Sequence, residues 1–444
     1  MTSTRRDLLR ATLVAAAAAP ALRAASRLDE APSIREAADP EANATRGRGI
    51  EHPGAAPRSG PRRPVVTPNG ASLPWRMVEG VKVFHLVAEE VEHEFARGLA
   101  ARCYGYNGRV HGPTIEAVEG DRVRIYVTNK LPVATSVHWH GLVVPSGMDG
   151  VSGLHQRAIE PGETFVYEYE LLQHGTYMYH SHHDEMTQQA LGLMGLYIVH
   201  PKEERTPPPD RDYAILLSEW KIEPGARRPD PNEMVDFNVL TMNAKIHPAT
   251  QNLVARRGER VRIRLANLSA MSHHPIHLHG HSFRVVATDG GELPESNGWR
   301  ETSILVPTGS TRTIEFVADQ PGDWPLHCHM THHVMTQMGH GLPNTTGVDL
   351  ARIDEALYEH VPAYAAMEED MVAGGDHDAL VPPNSLPMMG SRGPHGIITM
   401  SGMFTILKVR DELQEGVEPG WYEAPPGTTA RLATAEELAR DGVS

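Results

Sequence analysis

The strongest constraint on this 444-residue chain is that it contains a long stretch of itself twice. Gly120-Asp121-Arg122-Val123-Arg124-Ile125 returns 138 residues later as Gly258-Glu259-Arg260-Val261-Arg262-Ile263, and Asn129 returns as Asn267 at the same offset. His138-Trp139-His140-Gly141 returns 139 residues later as His277-Leu278-His279-Gly280, and His180-Ser181-His182 returns 147 later as His327-Cys328-His329. A fold that repeats in this way has two homologous units. These span residues 76–201 and 209–345, joined by the Pro-rich stretch Pro201 to Pro209. That stretch is too short to hold a third domain.

Each unit reads as β structure. Val123, Ile125 and Val127 alternate with Arg122, Arg124 and Tyr126, and Phe165, Tyr167, Tyr169 and Leu171 alternate with Val166, Glu168 and Glu170. Period-two strands of this length, spaced by Gly, Pro and Asn turns, predict half-buried sheets and an all-β pair of tandem sandwiches.

The flanks are of another kind. Thr4-Arg5-Arg6-Asp7-Leu8-Leu9-Arg10 precedes the apolar run Ala11 to Ala19, and Ala19-Pro20-Ala21 offers a small-x-small cleavage site. Residues 1–25 therefore read as a twin-arginine export signal, which places the mature chain in the periplasm or outside the cell. Residues 26–75, rich in Pro, Gly, Ala and Arg without an apolar period, read as a disordered linker. Residues 346–444 form a C-terminal extension. In it, Leu350, Ile353 and Leu357 have helical spacing ended by Pro362, Pro387-Met388-Met389 lies in a loop, Ile397 to Val409 reads as a closing strand containing Gly402, and Thr434 caps a short final helix. No stretch is long and apolar enough to span a bilayer. The formal charge of -15 argues against a nucleic-acid partner.

Chemistry concentrates in His327-Cys328-His329-Met330-Thr331-His332-His333-Val334-Met335-Thr336-Gln337-Met338. Four residues separate Cys328 from His333, and four more separate His333 from Met338. A thiolate, an imidazole and a thioether so spaced match a blue-copper ligand set, where His and Cys lie in a plane and Met binds weakly along the axis. On a strand, His327 and His329 point to the face opposite Cys328, so they serve a second site. The remaining cysteine, Cys103, is then expected to be free and buried. The four His-x-His pairs, 138/140, 180/182, 277/279 and 327/329, each present two imidazoles on one face. Eight imidazoles suit three coppers, two holding three histidines each and one holding two. In the first unit Ser181 replaces Cys328, Thr135 falls at the place of His274, and Met186 and Leu191 stand where His333 and Met338 do. Only the second unit carries the mononuclear site.

These four motifs, with His274-Pro275-Ile276-His277-Leu278-His279-Gly280-His281, resemble in kind and order the copper motifs of the multicopper oxidases. The resemblance covers about residues 76–345 and implies two cupredoxin-like Greek-key sandwiches. Carried over by position, it implies His274, Cys328, His333 and Met338 as type 1 ligands and His138 and His277 as type 2 ligands. It makes His140, His180, His182, His279, His327 and His329 the ligands of the type 3 pair. The chain holds two domains where most laccases hold three, so it is similar to the two-domain, small-laccase branch. That branch implies a homotrimer with trinuclear clusters between the first domain of one subunit and the second domain of the next.

The implied reaction is one-electron oxidation of four substrate equivalents, with O2 reduced to water. Asp149, in Met148-Asp149-Gly150, is the candidate proton relay, and a plain turn-former is the alternative. The reductant is open between phenols or aromatic amines and the metal ions Cu(I) or Mn(II). Two competing readings remain. A copper nitrite reductase would carry its Cys in the first domain, and a periplasmic copper carrier or electron-transfer protein would leave the histidine pairs idle.

Overall fold

The computed structural model describes residues 64–203, 208–337, 384–386, 390–414 and 416–443. The expected export signal, the first part of the linker, the helix around Leu350–Leu357, the Pro387-Met388-Met389 loop and Met338 lie outside these residues.

The repeat becomes two sandwiches. In the first, one sheet is built on the long strand Val81–Ala96, which pairs with Trp75–Val78, with Leu99–Tyr106 and, in parallel, with Arg122–Asn129; Thr164–Glu170 adds to the last. The facing sheet is Ile115–Val118, Met194–His200 and Gly175–His180. The alternation expected from the sequence holds: Val123, Ile125, Val127, Tyr167 and Tyr169 are buried between the sheets, with the Arg and Glu partners turned outward. Apolar side chains every second residue leave one face wet and the other dry, which is the condition for stacking a second sheet.

The second sandwich repeats the scheme. Arg211–Trp220 runs parallel to Arg260–Asn267, followed by Thr311–Val317 and Phe283–Thr288, and Val239–Met242 pairs on the outer side of Arg211–Trp220. Facing it are Leu253–Arg256, Phe404–Arg410, Gly322–Cys328, His274–Leu278 and Ser303–Val306. The second sandwich therefore does not close within residues 209–345. Its sheet needs Phe404–Arg410, inserted between Leu253–Arg256 and Gly322–Cys328. The closing strand is shorter than expected, because Gly402 precedes it with φ +51 and Gly396–Ile397 forms a small hairpin with Arg392–Gly393. The final helix is Ala435–Asp441, with the Thr434 hydroxyl and Glu437 forming a reciprocal cap.

Packed structure is also present before the expected boundary at 76. Val65 and Leu73 are buried, the Val66 amide donates to the Asp212 carbonyl, and Glu116 accepts from the Val65 amide and the Ser72 hydroxyl. The Pro/Gly composition was misleading here because a few apolar residues suffice to seat an extended segment.

A third apolar layer joins the sandwiches. Met178, Met194, Leu196 and Ile198 from the first pack against Ala214, Leu216, Ala266 and Leu268 from the second. Across it, buried Arg264 donates twice to Asp212, both at 2.8 Å, and once to the Thr176 hydroxyl at 2.9 Å. The bidentate guanidinium–carboxylate pair satisfies both charges inside a dry interface. Cys103 is free and buried in a neighbouring cluster with Phe95 and Trp220.

Candidate metal centres

The strands Gly322–Cys328 and His274–Leu278 pair in antiparallel register, with Ile276 opposite Cys328 and His277 opposite His327. This register decides where each ligand points. Cys328 faces the apolar core of the second sandwich beside Ile276, whereas His327 faces outward beside His277.

On the inner face, Cys328 Sγ lies 3.7 Å from His274 Nδ1 and 3.5 Å from His333 Nδ1, and the two nitrogens are 3.1 Å apart. Three ligand atoms thus form a small triangle, and His274 and Cys328 are fully buried. His274 Nε2 is occupied by the Ser269 hydroxyl at 2.6 Å, which leaves Nδ1 as the free lone pair. Burial lowers the imidazoles to about 3 for His274 and about 4 for His333, so both are neutral ligands at neutral pH. Burial pushes the Cys328 thiol up to about 12, so the thiolate exists there only beside a cation. The C-terminal segment braces this loop. The Cys328 amide donates to the Met403 carbonyl and the Met403 amide to the His333 carbonyl, and a Cβ on Gly402 would fall 2.5 Å from the His333 carbonyl oxygen. Met338, the fourth residue expected in this set, lies outside the described residues.

On the outer face, His277, His279, His327 and His329 form a tetrad with ring centroids 4.7 to 5.7 Å apart, and His279 Nε2 is 3.1 Å from His327 Nε2. The first sandwich presents its own tetrad of His138, His140, His180 and His182, with centroids 5.3 to 6.1 Å apart and His140 Nδ1 3.2 Å from His180 Nε2. Most of these rings are held by backbone oxygen. His138, His180, His277 and His327 donate through Nδ1 to the carbonyls of Asp149, Ser181, Thr302 and Cys328 at 2.7 to 2.9 Å, and His140 donates through Nε2 to Gly309 at 2.9 Å. Each carbonyl fixes the tautomer and leaves the other nitrogen free, which is how a histidine is prepared for a metal. Burial also lowers His140, His180, His279 and His327, with His180 at about 3. The donor set therefore fits copper: soft thiolate with imidazole on one face, imidazole alone on the other.

Among the described residues, no hydrogen bond or ring contact joins a histidine of one tetrad to a histidine of the other. In the first sandwich, the place of the mononuclear site is sealed by neutral groups: Thr135 and Ser181 hydroxyls both donate to Gln188 Oε1, at 2.7 and 2.6 Å, and Gln188 donates to the Ala134 carbonyl. Met186 is exposed on the helix Glu185–Ala190, and Leu191 is buried in the first core.

Asp149 stands beside the first tetrad, with Oδ1 3.5 Å from His138 Nδ1 and Oδ2 3.2 Å from His155 Nδ1. Sequence reasoning found its side chain but not that its carbonyl holds His138. It also missed Glu185, whose carboxylate is 3.7 Å from His182 Nε2, and the carbonyl of Gly309, which has no side-chain signature at all. Glu185 follows His182 by one helical turn, the only sequence signal it carried.

Tandem cupredoxin-like sandwiches carrying a Cys–His triangle backed by histidine tetrads define a class of copper protein. Multicopper oxidase family models match residues 87–204 and 223–347, and the chain belongs to the multicopper oxidase family. It is 29% identical over 232 residues to copper resistance protein A of Pseudomonas syringae pv. tomato, covering 41% of this chain and 38% of that protein. It is 30% identical over 249 residues to the putative laccase-19 of Oryza sativa subsp. indica, covering 52% and 40%. The chain thus spans about two-fifths of the length of these curated relatives. Among solved structures, the blue copper oxidase from Nitrosomonas europaea superposes with a TM-score of 0.54 at 25% identity, over 74% of this chain and 85% of that one.

Proposed function

We propose that this protein is an oxidase that removes single electrons from four substrate equivalents and uses them to reduce O2 to water. One observation carries the reading. Cys328 and His327 are covalent neighbours on one strand, the first in the His274–His333 triangle and the second 3.1 Å from His279 in the outer tetrad. A site that collects electrons and a site that spends them are then separated by one residue of backbone. Bound copper supplies the redox chemistry: one type 1 ion, one type 2 ion and a type 3 pair per chain equivalent.

The residues divide the remaining work. His274, Cys328 and His333, together with Met338, would hold the entry ion, with His274 and Cys328 buried. His138 and His277 are assigned to the type 2 ion. His140, His180, His182, His279, His327 and His329 are assigned to the type 3 pair. Asp149, between His138 and His155, is placed to pass protons toward the water-forming side.

The assignment uses histidines from both tetrads at once, and among the described residues no hydrogen bond or ring contact joins one tetrad to the other. This favours a homotrimer in which each cluster takes one tetrad from each of two subunits, closing a head-to-tail ring. The chain is proposed to act after export by the twin-arginine pathway. The reductant is a phenol or aromatic amine, or a metal ion such as Cu(I) or Mn(II). O2 uptake by copper-loaded protein, measured separately with a phenol, Cu(I) and Mn(II), tests the proposal. Uptake with none of the three would sink the oxidase reading.

A further inference from the structure

The two sandwiches can be laid on each other by their parallel strand pairs. In the first, Ala88 faces Asn129; in the second, Leu217 faces Asn267. The two asparagines do the same job. Asn129 accepts from the Leu131 amide and donates to the Val133 and Ile159 carbonyls, and Asn267 accepts from the Ser269 amide and donates to the Ser272 and Val306 carbonyls. Two residues beyond Ala88 and Leu217, the same strand position holds a glutamate in both copies: Glu90 and Glu219.

Their surroundings differ sharply. Glu90 is exposed, with Arg228 at 3.9 Å. Glu219 is 5% exposed, and its Oε1 accepts from the amides of Met271 at 2.6 Å and Ser272 at 3.0 Å. Its Oε2 is buried without a hydrogen-bond partner. The loop it grips is where the two copies differ in length. From Asn129 to Thr135 is one residue shorter than from Asn267 to His274, the step by which the repeat offset changes from 138 to 139. The longer loop ends on His274 and begins near Ser269, whose hydroxyl holds His274 Nε2.

A loop with an extra residue carries an extra backbone N–H, and a buried N–H without an acceptor is costly. A single neutral acceptor would satisfy it. A buried carboxylate costs more to desolvate than a neutral acceptor, and this one accepts from two amides of the longer loop. We infer that Glu219 is a positioning residue of the mononuclear copper site: it clamps the inserted Met271–Ser272 turn, and through Ser269 and His274 it sets the geometry and reduction potential of that site. The inference rests on the type 1 reading of His274, Cys328 and His333.

The test uses the copper-loaded full chain and the variants Glu219→Gln, Glu219→Ala and, as control, Glu90→Gln. Visible absorption, EPR and a redox titration are read on each, with amide hydrogen exchange at Met271 and Ser272 in the copper-free protein. Glu219→Gln keeps an acceptor oxygen and removes a negative charge that favours the oxidised ion. It should retain the thiolate charge-transfer band and raise the potential. Glu219→Ala should shift or weaken the band and speed exchange at the two amides by roughly tenfold or more, as a local opening. Glu90→Gln should change none of these. Wild-type band, EPR and potential in both Glu219 variants would overturn the inference. So would unchanged exchange in Glu219→Ala, a measurement that does not depend on copper. A wild-type protein with no charge-transfer band would overturn the type 1 reading itself, and the inference with it.

Discussion

The proposed sharing of each cluster between subunits makes a quantitative prediction. One variant loses the first tetrad through His140→Ala, and the other loses the second through His279→Ala. Within its own tetrad each histidine stands 3.1 to 3.2 Å from a neighbouring ligand nitrogen, so each deletion removes a metal-binding nitrogen outright. Either variant alone should show no O2 uptake, because every cluster lacks one half. In a ring, each cluster draws its first-domain half from one subunit and its second-domain half from the next. With equal amounts and random assembly, half the subunits supply an intact first tetrad and half an intact second one. Roughly a quarter of all interfaces are then complete; each mixed trimer, which purification through both tags selects, has one complete interface of its three, so about a third of the wild-type uptake per chain should return. The assay is O2 consumption by co-expressed, differently tagged subunits purified through both tags, corrected for the composition selected. The reductant is whichever drives the wild type. No recovery in verified mixed trimers would refute sharing and place each cluster within one chain. Recovery is not available to a one-chain cluster, since neither variant contains both tetrads.

Further outcomes follow from the same geometry. Cys328→Ser should abolish the visible band and substrate oxidation while histidine-bound copper remains, read by absorption, EPR and metal analysis. Asp149→Asn should slow O2 reduction, by roughly a hundredfold or more if it relays protons, with the visible band unchanged; unaltered turnover would leave Asp149 as a turn residue. Arg264→Met should cost about 3–5 kcal/mol, because it strands Asp212 in the interface between the sandwiches. Chemical denaturation measures this, and a loss below about 1 kcal/mol would refute the role given to the pair. Burial alone would raise the Asp212 carboxyl, but Arg264 and Arg262 outweigh it and hold it below the usual carboxylate range. The folded value is therefore the lower one. The stability from this pair is present above the unfolded carboxyl value and is lost as pH falls through the folded one, so Arg264→Met should flatten the acid side of the stability profile.

Much of this architecture was legible because two kinds of period are written in the chain. The alternation Val123, Ile125, Val127 fixes which face of a strand is dry, and the repeat fixes that this happens twice. The His-x-His spacing was equally readable, since residues i and i+2 share a face whatever the sheet around them. What stayed hidden depends on contacts between distant segments. Phe404–Arg410 looks like an appended strand until Gly322–Cys328 is seen to need a neighbour on its free edge. Residues 64–75 have a linker's composition, yet Val65 and Leu73 find buried seats, and Glu116 accepts from the Val65 amide and the Ser72 hydroxyl. The holding of His138, His140, His180, His277 and His327 is done by carbonyl oxygens, which every residue carries and no sequence pattern marks. Glu219 and Glu90 make the same point from the other side: one residue type at one repeat position has two fates, decided by the length of a loop about 50 residues further along the chain.

The two sandwiches differ in the residues and loops around the mononuclear site, and on the proposed reading these differences leave only the second able to collect electrons. Both keep the histidine pairs, because the outer faces need only period two. The inner faces differ. In the first, Thr135, Ser181 and Gln188 satisfy one another with neutral hydrogen bonds, so nothing there asks for a cation. In the second, Cys328 is a thiol that burial opposes ionising, next to two imidazoles that burial keeps neutral. The thiol is then the one proton donor among the three ligand atoms, and a soft cation would take the place of that proton by binding the thiolate. Exchanging Ser181 for Cys alone would not move the site across. The first copy would still lack the longer loop that delivers His274, the Ser269 hydroxyl that holds its Nε2, and the backbone of residues 401–404 that braces His333. On the proposed reading the entry site is therefore a property of loops and a C-terminal strand acting together, with Cys328 as the one residue that also belongs to the path leading out.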